Sequence, residues 1–343
     1  MAARVGINGF GRIGRSFYRA LLGRGDAAGV ELVAVNDPFG DSATMAFLLK
    51  HDSVGGTLRH EIKGTDDGFS VDGREIKKLD VREPAEIPWA DNGVDVVIES
   101  TGLFTAREKA AAHLEGGAER VIISAPSGDA DATICMGVND GVFDPASHTV
   151  VSNASCTTNC LAPLAKVLHQ RFGIDRGLIT TVHAYTSDQQ LQDLATPSRS
   201  GKPDLRRMRA AALSIVPNTT GAARAIGLVL PELKGRLDGM ALRVPTPTGS
   251  ITDLVANLNQ DASVEEVNAA FAEAATDASY RGVVEYSEEP LVSADIVGNP
   301  ASCVFSAFDT MAAGNMVKVL GWYDNEWGFS NRLIDLVAFV ARS

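Results

Sequence analysis

A glycine-rich segment near the N-terminus constrains the fold of this chain more than any other feature. Gly9, Gly11 and Gly14 form a G-x-G-x-x-G pattern. The pattern follows the apolar run Arg4–Asn8 and opens a helical pattern at Arg12–Leu22. In this context the glycines permit a tight turn and close approach of a pyrophosphate, whose charge is favoured by the N–H groups of the helix N-terminus. The segment therefore predicts a dinucleotide-binding βαβ unit.

The next apolar strand, Glu31–Asp37, ends in an acidic residue 23 positions after Gly14. A carboxylate at this point accepts hydrogen bonds from ribose hydroxyls and repels a 2′-phosphate. NAD is therefore favoured over NADP as the cofactor. A third apolar strand, Asp95–Ser100, leads into Thr101 and Gly102, which we expect to line the same site.

The two halves of the chain differ in pattern. In the first 150 residues strands alternate with helices, and runs such as Arg120–Ser124 are apolar enough for strands buried on both faces of a parallel sheet. Residues 55–79 predict short antiparallel hairpins. After residue 156 strands follow one another, as at Leu237–Pro247 and Ser250–Asn259. This half predicts a mixed or antiparallel sheet, so the fold class is α/β.

Cys156 stands between the strand-like run 149–153 and a helical pattern at Thr157–Phe172. Backbone N–H groups and the helix dipole at such a position favour the thiolate. Because the thiolate is the nucleophilic form, the position suggests covalent catalysis. A free cysteine is also commonly a small buried apolar residue, and position alone leaves both interpretations open.

Composition narrows the classes of function. The chain has 343 residues and a net charge of −12, which disfavours nucleic acid and anionic membrane surfaces as partners. The N-terminal segment lacks a signal-peptide pattern, and no apolar run reaches the ~20 residues of a membrane span. The four cysteines show no metal-ligand spacing and are too few for a disulfide framework in a chain of this size. We therefore expect the protein in a reducing cytoplasm, and we expect no bound metal ion.

Six motifs resemble those of the phosphorylating glyceraldehyde-3-phosphate dehydrogenase family and occur in its order over the whole chain. They are Val5–Arg15, Ala154–Pro163, Thr181–Thr186, Asn218–Ala223, Leu242–Pro247 and Trp322–Glu326. The resemblance implies a Rossmann NAD-binding domain at residues 1–155, completed by a C-terminal helix at 325–343. It also implies a catalytic α+β domain at residues 156–324 with a mixed, largely antiparallel sheet, and a homotetramer.

The resemblance implies an activity as well. It is the NAD-dependent oxidative phosphorylation of D-glyceraldehyde 3-phosphate with inorganic phosphate to 1,3-bisphosphoglycerate, in glycolysis and gluconeogenesis. Cys156 would form a thiohemiacetal and then a thioester, with His183 as its base and, as an imidazolium, a stabiliser of the thiolate. The implied cofactor residues are Asn8, Gly9, Phe10, Gly11, Arg12, Ile13, Gly14, Asp37, Arg82, Ser100, Thr101, Gly102, Ser124 and Asn325. The implied substrate and phosphate residues are Ser155, Thr157, Thr186, Asp188, Arg207, Thr220, Gly221 and Arg243.

Two alternatives stay open on the sequence. An enzyme similar to erythrose-4-phosphate dehydrogenase would hydrolyse the thioester instead of phosphorylating it. A catalytically idle NAD-binding scaffold would use the cofactor domain alone, although Cys156, His183 and Arg243 argue against it. The loop Leu194–Asp204 is longer than in most members of the family, which leaves open its effect on cofactor affinity and inhibitor sensitivity.

Overall fold

The computed structural model describes residues 2–195 and 204–343. The chain forms two compact units. The first unit comprises residues 1–134, 140–154 and 330–343, and the second comprises 135–139 and 155–329. Within the described residues, no helix combines the length and apolar character that crossing a membrane requires.

The first unit is built on a nine-stranded sheet in the order β10-β11-β9-β8-β1-β2-β7-β6-β5. The pairs from β10 to β7 are parallel, and β7, β6 and β5 pair antiparallel, as the hairpin pattern of residues 55–79 predicts. The elements are β1 Ala3–Asn8, α1 Arg12–Arg24, β2 Val30–Asn36, α2 Ser42–Lys50, β3 His51–Asp52, β4 Gly56–Thr57, β5 Ile62–Thr65, β6 Gly68–Val71, β7 Arg74–Leu79, β8 Val96–Glu99, α3 Arg107–Glu115, β9 Arg120–Ile123, β10 Ala132–Thr133 and β11 Val150–Ser152.

The central strands of this sheet are buried on both faces. Val5, Ile7, Val97, Ile98 and Ile122 are all 0% exposed. The chain starts in β1, continues to β2 on one side and later adds β8 on the other. The connections therefore diverge at the carboxyl ends of β1 and β8, and open α/β sheets bind ligands at such a switch point.

The second unit contains a seven-stranded sheet in the order β13-β14-β12-β15-β18-β17-β16. Two of its pairs are parallel and four are antiparallel, which confirms the predicted fold class. The remaining elements are α4 Cys156–Phe172, β12 Ile174–Ala184, β13 Val216–Thr219, α5 Ala222–Val229, β14 Leu237–Val244, β15 Ser250–Leu258, α6 Val264–Thr276, β16 Val284–Ser287, α7 Ser293–Ile296, β17 Cys303–Ala313, β18 Met316–Tyr323 and α8 Trp327–Arg342, of which α8 begins in the second unit and ends in the first.

Helix α4 packs on this sheet against β12, β15, β17 and β18. Gly321 of β18 allows the close approach, because a Cβ atom there would lie 2.8 Å from Leu164 Cδ1 and 3.0 Å from Cys160 Sγ. The helix contains Pro163 and is continuous through it. This packing fixes the place where α4 begins, and its first residue is Cys156.

Residues 210–230 contain helix α5 and also strand β13, which pairs antiparallel with β14 at the edge of the sheet. An edge strand tolerates Pro217 because it pairs on one side only, and the Pro217 carbonyl oxygen accepts from Arg206 at 3.1 Å. Cys135 lies beyond β10 and outside any strand. Of the loop Leu194–Asp204, residues 196–203 lie outside the described part of the chain.

Candidate active site and cofactor site

Cys156 occupies the first position of α4. The Ser155 hydroxyl precedes it as the N-cap and accepts a hydrogen bond of 3.0 Å from the Thr158 N–H. Cys156 is partly exposed, whereas Cys135, Cys160 and Cys303, which lie in the described part of the chain as well, are 0–1% exposed. Of the four thiols, Cys156 is therefore the one that a substrate can reach.

His183 lies next to this thiol. Cys156 Sγ is 3.3 Å from His183 Nε2. In the register of β12 and β14, His183 pairs with Arg243. His183 Nδ1 lies 2.7 Å from the Ala184 carbonyl oxygen and 2.7 Å from Arg243 Nη1. In the tautomer with a proton on Nδ1, the ring donates to that carbonyl and leaves Nε2 free to accept a proton, whereas Arg243, which only donates, favours the opposite tautomer.

Burial and a guanidinium group set the charges of this pair. Burial raises the pKa of the Cys156 thiol, whereas Arg243 and the Thr157 N–H lower it. Burial, and next the positive charge of Arg243, lower the pKa of His183 to about 3. The imidazole is therefore neutral at pH 7, unlike the imidazolium expected from the sequence. It is in the form that a general base requires, and Arg243 is the cation that favours the thiolate.

Tyr323 of β18 holds the imidazole from one side. Its ring meets that of His183 edge to face at a centroid distance of 5.9 Å. Its hydroxyl lies 2.9 Å from Thr157 Oγ1 and 2.7 Å from Thr181 Oγ1. Burial raises the pKa of Tyr323, so the hydroxyl stays neutral. The contact ties the start of α4 to β12 and so fixes the distance between thiol and base.

Guanidinium and amide donors suited to an anion lie in the same unit. Arg207 Nε donates to Asn218 Oδ1 at 3.1 Å, and Arg207 forms an ion pair with Asp188, which also accepts from the Thr186 hydroxyl. Within the described residues, the buried atoms Arg243 Nε and Asn218 Nδ2 have no hydrogen-bond partner. Buried donors without a partner are costly, and an anionic ligand would satisfy them.

The other predicted phosphate residues divide into two groups. Thr220 and Gly221 lead into the N-terminus of α5, and a Cβ at Gly221 would meet no atom within 4 Å. The Thr220 hydroxyl accepts from the Ala222 N–H at 3.1 Å, and the space beside Gly221 leaves room for a ligand at this helix start. Ser155 and Thr157 use their hydroxyls within the protein, toward Thr158 and Tyr323 respectively. The first N–H groups of α4 have no intrahelical partner, and that of Thr157 acts on the Cys156 sulfur.

The glycine-rich turn has the geometry that a dinucleotide needs. Gly9 has a φ of +93°, and a Cβ at Gly14 would lie 2.6 Å from Gly9 O, so both positions require glycine. A Cβ at Gly11 would meet nothing within 4 Å. Gly11 is also the N-cap of α1 and offers no capping side chain, so the start of this helix suits a pyrophosphate.

Asp37 and Arg12 have partners within the first unit. The Asp37 carboxylate accepts from the Phe10 N–H and the Phe39 N–H, both at 2.9 Å, and so holds the glycine-rich turn at the end of β2. Each oxygen keeps one lone pair for a ribose hydroxyl. The Arg12 side chain forms an ion pair with Asp52.

The remaining predicted cofactor residues lie in both units. Ser100 Oγ donates to Gly9 O at 2.7 Å, and Ser124 Oγ donates to Glu99 O at 3.0 Å, so the ends of β1, β8 and β9 are joined. The Arg82 guanidinium lies 5.6 Å from the Phe39 ring centroid. Asn325 belongs to the second unit, where Ser250 Oγ donates to its Oδ1 at 2.8 Å.

Sequence reasoning missed two residues of the thiol and anion sites. Asn218 contacts Arg207, and Tyr323 contacts His183. Both lie in motifs that carry the family resemblance, which is the signal that could have found them.

A dinucleotide-type turn and a thiol beside a neutral imidazole are the parts of a dehydrogenase that works through a covalent thiol intermediate. Residues 3–107 match the family model for the glyceraldehyde 3-phosphate dehydrogenase NAD binding domain. Residues 155–325 match the model for the glyceraldehyde 3-phosphate dehydrogenase C-terminal domain.

Several relatives match over nearly the whole chain. Glyceraldehyde-3-phosphate dehydrogenase of Streptomyces coelicolor is 58% identical over 341 residues, 99% of both chains. Glyceraldehyde-3-phosphate dehydrogenase 2 of Streptomyces arenae is 57% identical over 343 residues, and the Mycobacterium avium enzyme 57% over 347, in each case 100% of both chains. The chain belongs to the glyceraldehyde-3-phosphate dehydrogenase family, and its N-terminal domain is an NAD-binding domain.

The depressed pKa of His183 predicts an acid-sensitive stability. The folded value of about 3 lies below the ordinary 6.5, so the unfolded chain binds a proton there first as pH falls. The contribution of the neutral His183 to the free energy of unfolding is fully present above pH 6.5 and decreases as the pH falls towards 3. At pH 5 the loss is roughly 2 kcal/mol. Urea unfolding of wild type and His183→Asn at pH 7, 6 and 5, at one protein concentration, measures it. The variant should lose less stability on acidification, and equal losses would contradict the assignment.

Proposed function

We propose that the protein catalyses the NAD-dependent oxidation and phosphorylation of D-glyceraldehyde 3-phosphate to 1,3-bisphosphoglycerate, a reaction of glycolysis and gluconeogenesis. The observation that carries the proposal is the 3.3 Å contact between Cys156 Sγ, at the N-terminus of α4, and Nε2 of the buried His183. A thiol and a base in this arrangement suit covalent catalysis on an aldehyde. The names of the relatives support this substrate.

Cys156 and His183 share the chemistry. As the Cys156 sulfur attacks the aldehyde carbon, His183 Nε2 takes the thiol proton and passes it to the new alkoxide oxygen, so that a C–S bond and a neutral thiohemiacetal form. His183 Nε2 takes the hydroxyl proton of that adduct as it is oxidised to the thioester. Inorganic phosphate then attacks the thioester carbon. The C–S bond breaks, and the acyl phosphate and the Cys156 thiolate separate. The Cys156 thiolate is thus regenerated, still beside Arg243.

NAD, when bound, supplies the acceptor for the hydride. The N–H groups at the start of α1 would hold its pyrophosphate, and Asp37 would accept from its ribose. The open space over Gly11 and the absence of a capping side chain fit a bound pyrophosphate. In the second unit, the Asn325 side chain, oriented by Ser250, would hold the nicotinamide amide.

Two groups of residues would bind the two anions. For the substrate phosphate we assign Thr186, Asp188 and Arg243, of which Asp188 orients the Thr186 hydroxyl. For the attacking phosphate we assign Arg207, Thr220 and Gly221 together with the backbone N–H groups of Ser155 and Thr157. The support for these assignments is the set of buried donors without partners and the open N-terminus of α5.

A phosphate-dependence assay tests the proposal against both alternatives. With NAD and glyceraldehyde 3-phosphate, the protein should form NADH continuously when phosphate is present and about one NADH per chain when it is absent. Continued turnover without phosphate would instead favour a hydrolysing enzyme similar to erythrose-4-phosphate dehydrogenase. NAD binding without NADH formation would favour the idle scaffold.

His183→Asn should lower kcat by roughly 10²–10⁴-fold, the range for a lost general base.

We further propose that the protein is a homotetramer in the cytoplasm. The second unit exposes many large apolar side chains, among them six that are 40–85% exposed and that a second copy would cover. They are Leu178, Leu213, Ile215, Met240, Phe308 and Met311. Sedimentation equilibrium should give four times the chain mass of 36.2 kDa, and a single-chain mass at micromolar concentration would contradict the proposal.

The four free thiols suit a reducing compartment, and cell fractionation tests whether the protein lies in the cytoplasm.

A further inference from the structure

A buried polar network lies at the carboxyl ends of β1, β2 and β8 in the first unit, with Glu99 at its centre. Glu99 is 1% exposed. Its Oε1 accepts from the Thr101 N–H at 2.8 Å and from the Thr101 hydroxyl at 2.5 Å. Its Oε2 accepts from Asn8 Nδ2 at 2.6 Å and lies 3.0 Å from His113 Nε2. Four donors thus face one carboxylate.

Trp89 fixes the tautomer of the histidine in this network. The indole Nε1–H donates to His113 Nδ1 at 3.1 Å, and both residues are 0% exposed. An indole nitrogen only donates, so His113 Nδ1 is the acceptor and Nε2 carries the proton. His113 Nε2 therefore donates to Glu99. The chain of hydrogen bonds runs from Trp89 through His113 and Glu99 to Thr101.

The network continues to the end of β2. Asn36 Nδ2 donates to Asn8 Oδ1 at 2.7 Å and to the Val81 carbonyl oxygen at 2.8 Å. The Val81 N–H donates to Asn36 Oδ1 at 2.9 Å. Side chains at the ends of three neighbouring strands are therefore linked to one another and to the segment that leads into Arg82.

The linked segments carry most of the predicted cofactor residues of this unit, and they are in tight contact. A Cβ at Gly9 would lie 2.7 Å from Thr101 N. Ser100 Oγ donates to Gly9 O. Any shift of Thr101 would therefore be transmitted to the glycine-rich turn, where the pyrophosphate would bind.

We propose that Glu99 is a positioning residue for the dinucleotide. Its carboxylate holds Thr101 and Asn8, and through them the Gly9 turn, in the arrangement that binds NAD, with His113 and Trp89 behind it. A buried carboxylate in an apolar strand is costly unless every lone pair is satisfied, and here the satisfied network fixes the loops as one unit. The inference rests on the proposed NAD binding.

Glu99→Gln tests this role, because the side chain keeps its size but must turn one NH₂ group towards two donors. Calorimetric titration should show NAD binding weakened about tenfold or more. At saturating NAD, kcat should stay within about threefold of wild type. The rate at which iodoacetamide alkylates Cys156 without NAD should not change, since that thiol belongs to the second unit.

Asp131→Asn provides the matched control. Asp131 Oδ2 accepts from the N–H groups of Thr149 and Val150, and its Oδ1 from Arg107, in the same unit but with no contact to a predicted cofactor residue among those described. This variant should lose comparable thermal stability and bind NAD as wild type does. Equal loss of NAD affinity in both variants, or wild-type affinity in Glu99→Gln, would overturn the inference.

Trp89→Phe provides a second test if Glu99→Gln does not fold. It removes the N–H that fixes the His113 tautomer and leaves Glu99 in place, so NAD binding should weaken about threefold with unchanged alkylation of Cys156. Unchanged NAD affinity would overturn the proposal. A wild type without measurable NAD binding would contradict the proposed function itself, and the positioning role with it.

Discussion

The contact between Cys156 and His183 depends on where α4 begins relative to β12, and most features of the second unit serve that placement. Gly321 lets α4 lie close to the sheet, and Tyr323 links the first turn of α4 to β12 through hydroxyl contacts of 2.9 and 2.7 Å. The parallel pairing of β12 with β14 puts Arg243 beside the imidazole. A shift of any one of these elements would change the 3.3 Å distance between thiol and base.

Two opposing effects decide the charges at this contact. Burial disfavours every charged form, and it is the largest cause of both the raised pKa of Cys156 and the lowered pKa of His183. Arg243 acts on both groups as well, favouring the thiolate and disfavouring the imidazolium. The result is a neutral base beside a thiol whose anion is stabilised by a guanidinium. An anion bound at Arg243 would offset its positive charge and so raise the proton affinity of His183 when the base is needed.

The sequence predicts the parts of the molecule that local patterns encode. The glycine-rich turn follows from spacing, and so does the capping box of α6, in which Ser263 and Glu266 exchange hydrogen bonds. The helices α2 and α3 escape prediction because neither divides into an apolar and a polar face: α2 also exposes the apolar Phe47 and Leu48, and α3 buries only Ala110 and His113. The network around Glu99 escapes for another reason. Its members lie up to 105 positions apart in the chain, and only the parallel sheet brings them together.

The central claim is that Cys156, activated beside His183, carries the acyl group. Intact-mass measurement after acid quenching tests it, with protein incubated with NAD and glyceraldehyde 3-phosphate but no phosphate. We predict one acyl adduct per chain, absent in Cys156→Ser, retained in Cys160→Ser, whose thiol is 0% exposed, and released when phosphate is added. An adduct that persists in Cys156→Ser, or NADH formation without any adduct in wild type, would contradict the account.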